Sequence, residues 1–149
     1  MFFRNLYLFH FDPRTLDLTA DSLEDGISQK RLRDVGPLEL ATVGFVSPLG
    51  RGEDVLVHTV GDFTLVALGV QERLLPSDVI ADELASRLDD IQTKTGRRAG
   101  GRERKRLKEQ VVTDLLPKAF VRESRVYAYF DLARGWLVVE FRPKLSHSP

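Results

Sequence analysis

Between Pro76 and Pro117 the apolar residues fall on two helical stripes with glycines between them, and this restricts the available folds more than any other feature of the chain. Ile80, Leu84, Leu88 and Ile91 recur at intervals of four, four and three, and Leu107, Val111 and Leu115 at intervals of four. At 3.6 residues per turn each set lies on one face of an α-helix. Ser77 is placed as the N-cap of the first helix, which from Asp78 to about Thr95 would form a rod ~27 Å long. Gly96 and the pair Gly100-Gly101 interrupt the period, and Pro117, with no N–H to donate, stops the second helix. Two such helices joined by a short loop make an αα-hairpin over residues 77–117.

The flanking segments read as strands. Phe2 to Phe11 is apolar on both alternating faces, which predicts a strand covered on two sides, ended by Asp12-Pro13. Asp21 and Glu24 have the spacing of a capping box, opening a short helix that Gly26 weakens or ends. Val43 to Val46 is a short strand bounded by turn residues, Gly36-Pro37 before it and Pro48 and Gly50-Arg51-Gly52 after it. Val55 to Val60 and Phe63 to Val70 are β-rich runs joined by Gly61-Asp62, a pairing suited to a two-residue hairpin. Arg125 to Leu132 places Val126, Ala128, Phe130 and Leu132 on one face, and Trp136 to Phe141 follows across Arg134-Gly135 as a second hairpin. The order β, α, β, β, β, α, α, β, β predicts an α+β fold, a mainly antiparallel sheet with an inserted αα-hairpin, as a single domain over 1–142 and a loose tail over 143–149.

Net charge hides an asymmetry. The 22 basic and 22 acidic residues cancel, yet from Lys94 to Arg122 ten basic residues face three acidic ones. The ten are Lys94, Arg97, Arg98, Arg102, Arg104, Lys105, Arg106, Lys108, Lys118 and Arg122, and the three are Glu103, Glu109 and Asp114. That segment carries seven excess positive charges and the remainder seven excess negative ones. Arg102, Lys105 and Arg106 lie roughly opposite the Leu107, Val111, Leu115 stripe, so the second helix can bury one side and present cations on the other. A row of long cations on a rigid rod fits a phosphate backbone and reads no bases. The competing reading is a solvated face that pairs with Asp82, Glu83, Asp89 and Asp90 of the first helix, or that receives an acidic protein.

Other chemistries find less support. With no cysteine the chain has no thiolate nucleophile, thiolate metal site or disulfide. His10, His58 and His147 lack the short spacings of a metal site, and Gly96 to Gly101 is not a G-x-x-x-x-G-K-[ST] phosphate loop. Asp12, Asp54, Glu72, Asp78 and Asp131 lie near predicted strand ends, where a metal-dependent nuclease would keep its ligands, although turns and caps use carboxylates for ordinary reasons. No cofactor or metal is implied and no catalytic residue is assigned. Arg4, Asn5, His10 and Asp12 interrupt the apolar N-terminus too early for a signal peptide or a spanning helix, so a cytoplasmic protein without membrane contact is expected.

Several local strings resemble the RdgC family of bacterial recombination-associated proteins, in one register from Phe3 to about Val139. Phe3-Arg4-Asn5-Leu6 is similar to the family's opening strand. Gly44-Phe45-Val46-Ser47-Pro48-Leu49-Gly50 is similar to its glycine, aromatic, proline, glycine loop, with Phe45 where tryptophan is expected; Asp54, Leu56 and His58 follow. Glu72-Arg73-Leu74-Leu75-Pro76-Ser77-Asp78-Val79-Ile80 resembles the strand-to-helix junction. Leu107-Lys108-Glu109 leads into Leu115-Leu116-Pro117-Lys118-Ala119-Phe120, the other most specific string.

The resemblance implies a nucleoid-associated homodimeric ring that encloses double-stranded DNA without sequence preference, has no enzymatic activity and limits access of the RecA recombinase. It implies Phe120 as a contact between subunits, against the alternative of an ordinary core residue. The family's chains run well past residue 149, so the portion that helps close the ring is expected to be absent here.

Overall fold

The computed structural model describes residues 5–141, and the expected tail over 143–149 lies outside them. Nine main elements follow one another in the expected order: β1 (Leu6–His10), α1 (Ala20–Ser28), β2 (Ala41–Val46), β3 (His58–Val60), β4 (Phe63–Leu74), α2 (Ser77–Thr95), α3 (Gly101–Leu115), β5 (Phe120–Asp131) and β6 (Trp136–Glu140). A 3₁₀ turn, Leu116–Lys118, sits between α3 and β5. The six strands form one antiparallel sheet in the order β1-β6-β5-β4-β2, with β3 on β4, which makes the fold α+β. No helix among the described residues is long and apolar enough to cross a membrane.

The chain divides into two compact units. The first comprises Met1–Arg33, Val43–Val70 and Glu123–Pro149, and the second Asp34–Thr42 and Gln71–Arg122.

In the first unit Ile27, Leu56, Val57 and Val66 are buried together, and Leu23, Phe45, Ala128 and Phe130 pack on them. Burial of Leu56, only 1% exposed, contributes roughly 2 kcal/mol. Helix α1 opens two residues earlier than Asp21 and Glu24 predict. The capping box is Thr19 with Ser22: Ser22 N–H donates to Thr19 Oγ1 at 3.1 Å and Thr19 N–H to Ser22 Oγ at 2.9 Å. The helix runs through Gly26 and buries Ile27.

The predicted strand Val55 to Val60 pairs only from His58 onward. Leu56 and Val57 owe their apolar character to the core rather than to a ladder. The hairpin itself is as expected: Val60 faces Phe63 across Gly61-Asp62, and Gly61 has φ +59°. Gly44 lets Lys30–Leu32 lie against β2. Its Cβ would fall 2.4 Å from the Leu32 backbone, where Phe45 N–H donates to the Lys30 carbonyl and Leu32 N–H to the Phe45 carbonyl.

Strand β1 departs most from expectation. Residues 2–4 of the predicted strand lie outside the description, and Leu6–His10 is exposed throughout rather than covered on two sides. Among the described residues it pairs on one side only, with β6, and forms an edge of the sheet.

The β5–β6 turn is tied by Asp131, which is buried and accepts from Arg134 N–H at 3.0 Å and Arg134 Nη1 at 3.1 Å. Burial works against its charge, but the backbone and guanidinium of Arg134 outweigh that, with help from Ala133 N–H, and hold the carboxyl below its ordinary pKa. A lowered folded-state pKa gives stability that is present above the unfolded value, ~4, and is lost as pH falls through the folded one. Asp131→Asn is therefore expected to flatten the pH dependence of the urea midpoint below pH ~4. An unchanged acid slope in the variant would show that these bonds do not favour the ionised form.

Candidate nucleic-acid interface

The second unit holds all ten cations of the basic segment, and each of them is exposed. The hairpin that carries eight of them is built on a narrow apolar seam. Leu84 of α2 and Val111 of α3 are buried, and Leu88, Ile91, Leu107 and Leu115 are half-buried, as the two stripes predict. Ser77 is the first helical residue rather than the cap. Pro76 occupies the N-cap position, where its fixed φ suits the entry, and no side chain caps the helix.

At the other end α2 closes on Gly96 in the left-handed conformation, φ +68°, whose N–H donates to the Gln92 carbonyl at 2.8 Å. Thr95 Oγ1 donates to the Ile91 carbonyl at 2.6 Å and accepts from Arg97 N–H at 3.3 Å. These bonds define the start of the loop that presents Arg97 and Arg98.

Helix α3 begins at Gly101 with no side-chain cap, so the N–H groups of its first turn stay open next to Arg102 and Arg104. Its 15 residues span ~22 Å, which separates the ten cations into two sets. Lys94, Arg97, Arg98, Arg102, Arg104, Lys105, Arg106 and Lys108 surround the loop and the first part of α3. Lys118 and Arg122 lie past its far end, flanking Phe120. Phe120 is 84% exposed, which rules out the core-residue alternative within this chain.

The pairing of the cations with acidic groups of α2 does not occur. Glu83 accepts from Arg87 Nε at 2.9 Å, within its own helix, and Arg87 Nη1 reaches Asp114 of α3 at 2.9 Å. Arg87 thus ties the two helices together, and the bonds to Glu83 and Asp114 raise its pKa above the ordinary value. Two of the ten cations are engaged: Arg97 with Glu103 at 3.5 Å, and Arg122 with Glu72, to which its Nε donates at 3.0 Å. Among the described residues the other eight form no ion pair within 4.0 Å: Lys94, Arg98, Arg102, Arg104, Lys105, Arg106, Lys108 and Lys118.

Arg98 and Arg104 also line a cleft of about 230 Å³ with Leu88, Asp89, Gln92 and Ala99. Gln92 carried no signal in the sequence, since a polar residue on a polar helix face breaks no pattern. Arg73, another residue without a periodic signal, donates to backbone carbonyls at both margins of this unit, including Gly36 at 3.0 Å and Ala119 at 3.2 Å.

The carboxylates considered for a metal site are largely occupied elsewhere. Asp12 Oδ1 accepts from Arg14 N–H, Glu72 holds Arg122, Asp78 Oδ1 accepts from Val79 N–H, and Asp131 holds Arg134. Among the described residues no three His, Asp or Glu side chains gather as metal ligands would.

Residues 1–144 match the profile of a family described as "Putative exonuclease, RdgC". The recombination-associated protein RdgC of Xanthomonas campestris pv. campestris (strain B100) is 46% identical over 147 residues, which is 98% of this chain and 48% of that protein. The protein of the same name from Xylella fastidiosa (strain 9a5c) is 44% identical over 141 residues, 94% of this chain and 46% of that one. The chain thus spans about half the length of the curated relatives it matches.

Proposed function

The chain belongs to the RdgC family of recombination-associated proteins, and on that premise we propose that it binds double-stranded DNA without sequence preference, through phosphate contacts from the α2–α3 hairpin. The observation that carries this reading is the set of eight exposed cations with no acidic partner among the described residues. Long side chains with free charges release condensed counterions when they meet a duplex, which rewards contact with any sequence. The uncapped N-terminus of α3 adds a partial positive charge beside Arg102 and Arg104.

In the whole protein this contact would belong to a homodimeric clamp without enzymatic activity. Phe120 would serve at a subunit contact, and the clamp would act in the cytoplasm on the nucleoid by limiting RecA access to DNA. An apolar side chain 84% exposed between Lys118 and Arg122 supports a contact role for Phe120.

Fluorescence anisotropy on two unrelated duplexes tests the binding. Affinities within a few-fold of each other and a steep fall between 50 and 200 mM salt, ~10³-fold or more for six or more phosphate contacts, are expected. A marked preference for one duplex, or no binding at the lower salt, overturns the reading. The family description favours one rival, a nuclease. A magnesium-dependent loss of intact DNA in the same samples would replace the clamp with that activity.

A further inference from the structure

Among the described residues nothing pairs with the outer edge of strand β1. Its inner side is the β6 ladder, in which Phe141 N–H donates to the Asn5 carbonyl and Phe11 N–H to the Gly135 carbonyl, each at 2.8 Å. The alternation of an antiparallel pair then directs Tyr7 and Phe9 toward β6 and turns the N–H and C=O groups of Leu6, Leu8 and His10 outward. The flanking side chains are apolar and open: Leu6 45%, Tyr7 51%, Leu8 62% and Phe9 54% exposed. Lone edges are usually blunted by charge, proline or a bulge, and Leu6–His10 carries no charged residue and no proline. The opposite margin differs, since Lys30–Leu32 lies against β2.

Two further facts indicate the occupant. The curated relatives are about twice as long as this chain. The Phe141–Asn5 hydrogen bond also sets both ends of the described polypeptide side by side at one end of the β1·β6 pair. In a relative, polypeptide continuing from either end therefore starts at that end of the pair, next to β1.

We propose that the outer edge of β1 is the docking site for a β-strand from the half of the family's polypeptide that lies outside this chain, so that β1 is an interior strand in full-length members. Three outward residues offer a short ladder, and the exposed side chains on both faces supply the apolar flanks that such strand addition uses. The inference concerns the first unit and is independent of DNA binding by the second.

Amide hydrogen exchange tests it on this chain and on the full-length Xanthomonas campestris protein. In this chain Leu6, Leu8 and His10 should exchange at least ~100-fold faster than Tyr7 and Phe9. In the full-length relative every amide of the aligned strand should be slow. Fast outer amides in the relative overturn the proposal. So does protection in this chain that grows with concentration alongside a dimer in sedimentation, which would make a second copy the occupant. Leu8→Lys provides a second measurement: an unchanged melting temperature is expected here, and a drop of roughly 5 °C for the aligned residue of the relative. Equal behaviour of the two proteins would count against a covered edge.

Discussion

Replacing Arg102, Lys105 and Arg106 together with alanine is expected to lower affinity for duplex DNA on the order of a hundredfold at low salt, and to reduce the slope of log affinity against log salt by about 2.7. The three residues share the exposed side of α3, away from Leu107 and Val111, and none has an acidic partner among the described residues. Each therefore contributes its full charge to a bound phosphate, and each loss removes roughly 0.9 from the slope. The fold should be unaffected, because alanine has the highest helix propensity and none of the three side chains is buried. Arg97 and Arg122 provide the contrast. Both already hold a carboxylate, Glu103 and Glu72 respectively, so alanine at either should change the slope by less. Anisotropy titrations at several salt concentrations check both statements. A triple variant with the parental slope would mean that these cations only solvate α3.

The helical hairpin was legible in the sequence because its information is local. A period near 3.6 repeats over several turns in each helix, and Gly96, Gly100 and Pro117 mark the boundaries by backbone geometry that no tertiary contact alters. The start of α1 was less determined, since Thr19 with Ser22 and Asp21 with Glu24 both have cap spacing. The helix starts at the pair whose reciprocal cap bonds form, Thr19 with Ser22. The exposure of β1 could not be read at all. Aromatic content predicts cover, whereas cover depends on sheet order, and β1 lies on the last described strand, a contact more than a hundred residues away in sequence. Among the cations the count was legible and the partners were not. The Arg122–Glu72 pair spans 50 positions, and Arg87 reaches Asp114 across the hairpin, which leaves the basic face unneutralised.

Arg73 had the least local signal of all, and its replacement by alanine is expected to lower the stability of the second unit by on the order of 3 kcal/mol. Its Nε donates to the Gly36 carbonyl at 3.0 Å and Nη2 to Val35 at 3.4 Å, while Nη1 faces the carbonyls of Leu116, Pro117 and Ala119 at 3.3, 3.4 and 3.2 Å. The last three follow the end of α3, where the helix leaves carbonyls without intrahelical donors and where its dipole is negative, so a guanidinium there satisfies acceptors and charge together. Alanine would remove a donor from the part-buried carbonyls of Leu116 and Ala119 and from the exposed one of Pro117. Lysine should fail to restore stability, because one ammonium on a flexible stem cannot span acceptors that the planar fork reaches on two sides. Urea unfolding followed by hydrogen exchange of the α2 and α3 amides checks this: protection of the hairpin should fall in Arg73→Ala and stay low in Arg73→Lys. Below the unfolding transition the DNA affinity of Arg73→Ala should stay near the parental value, since most donors of this guanidinium are already committed to carbonyls. A large loss of binding with hairpin protection intact would instead place Arg73 among the DNA contacts.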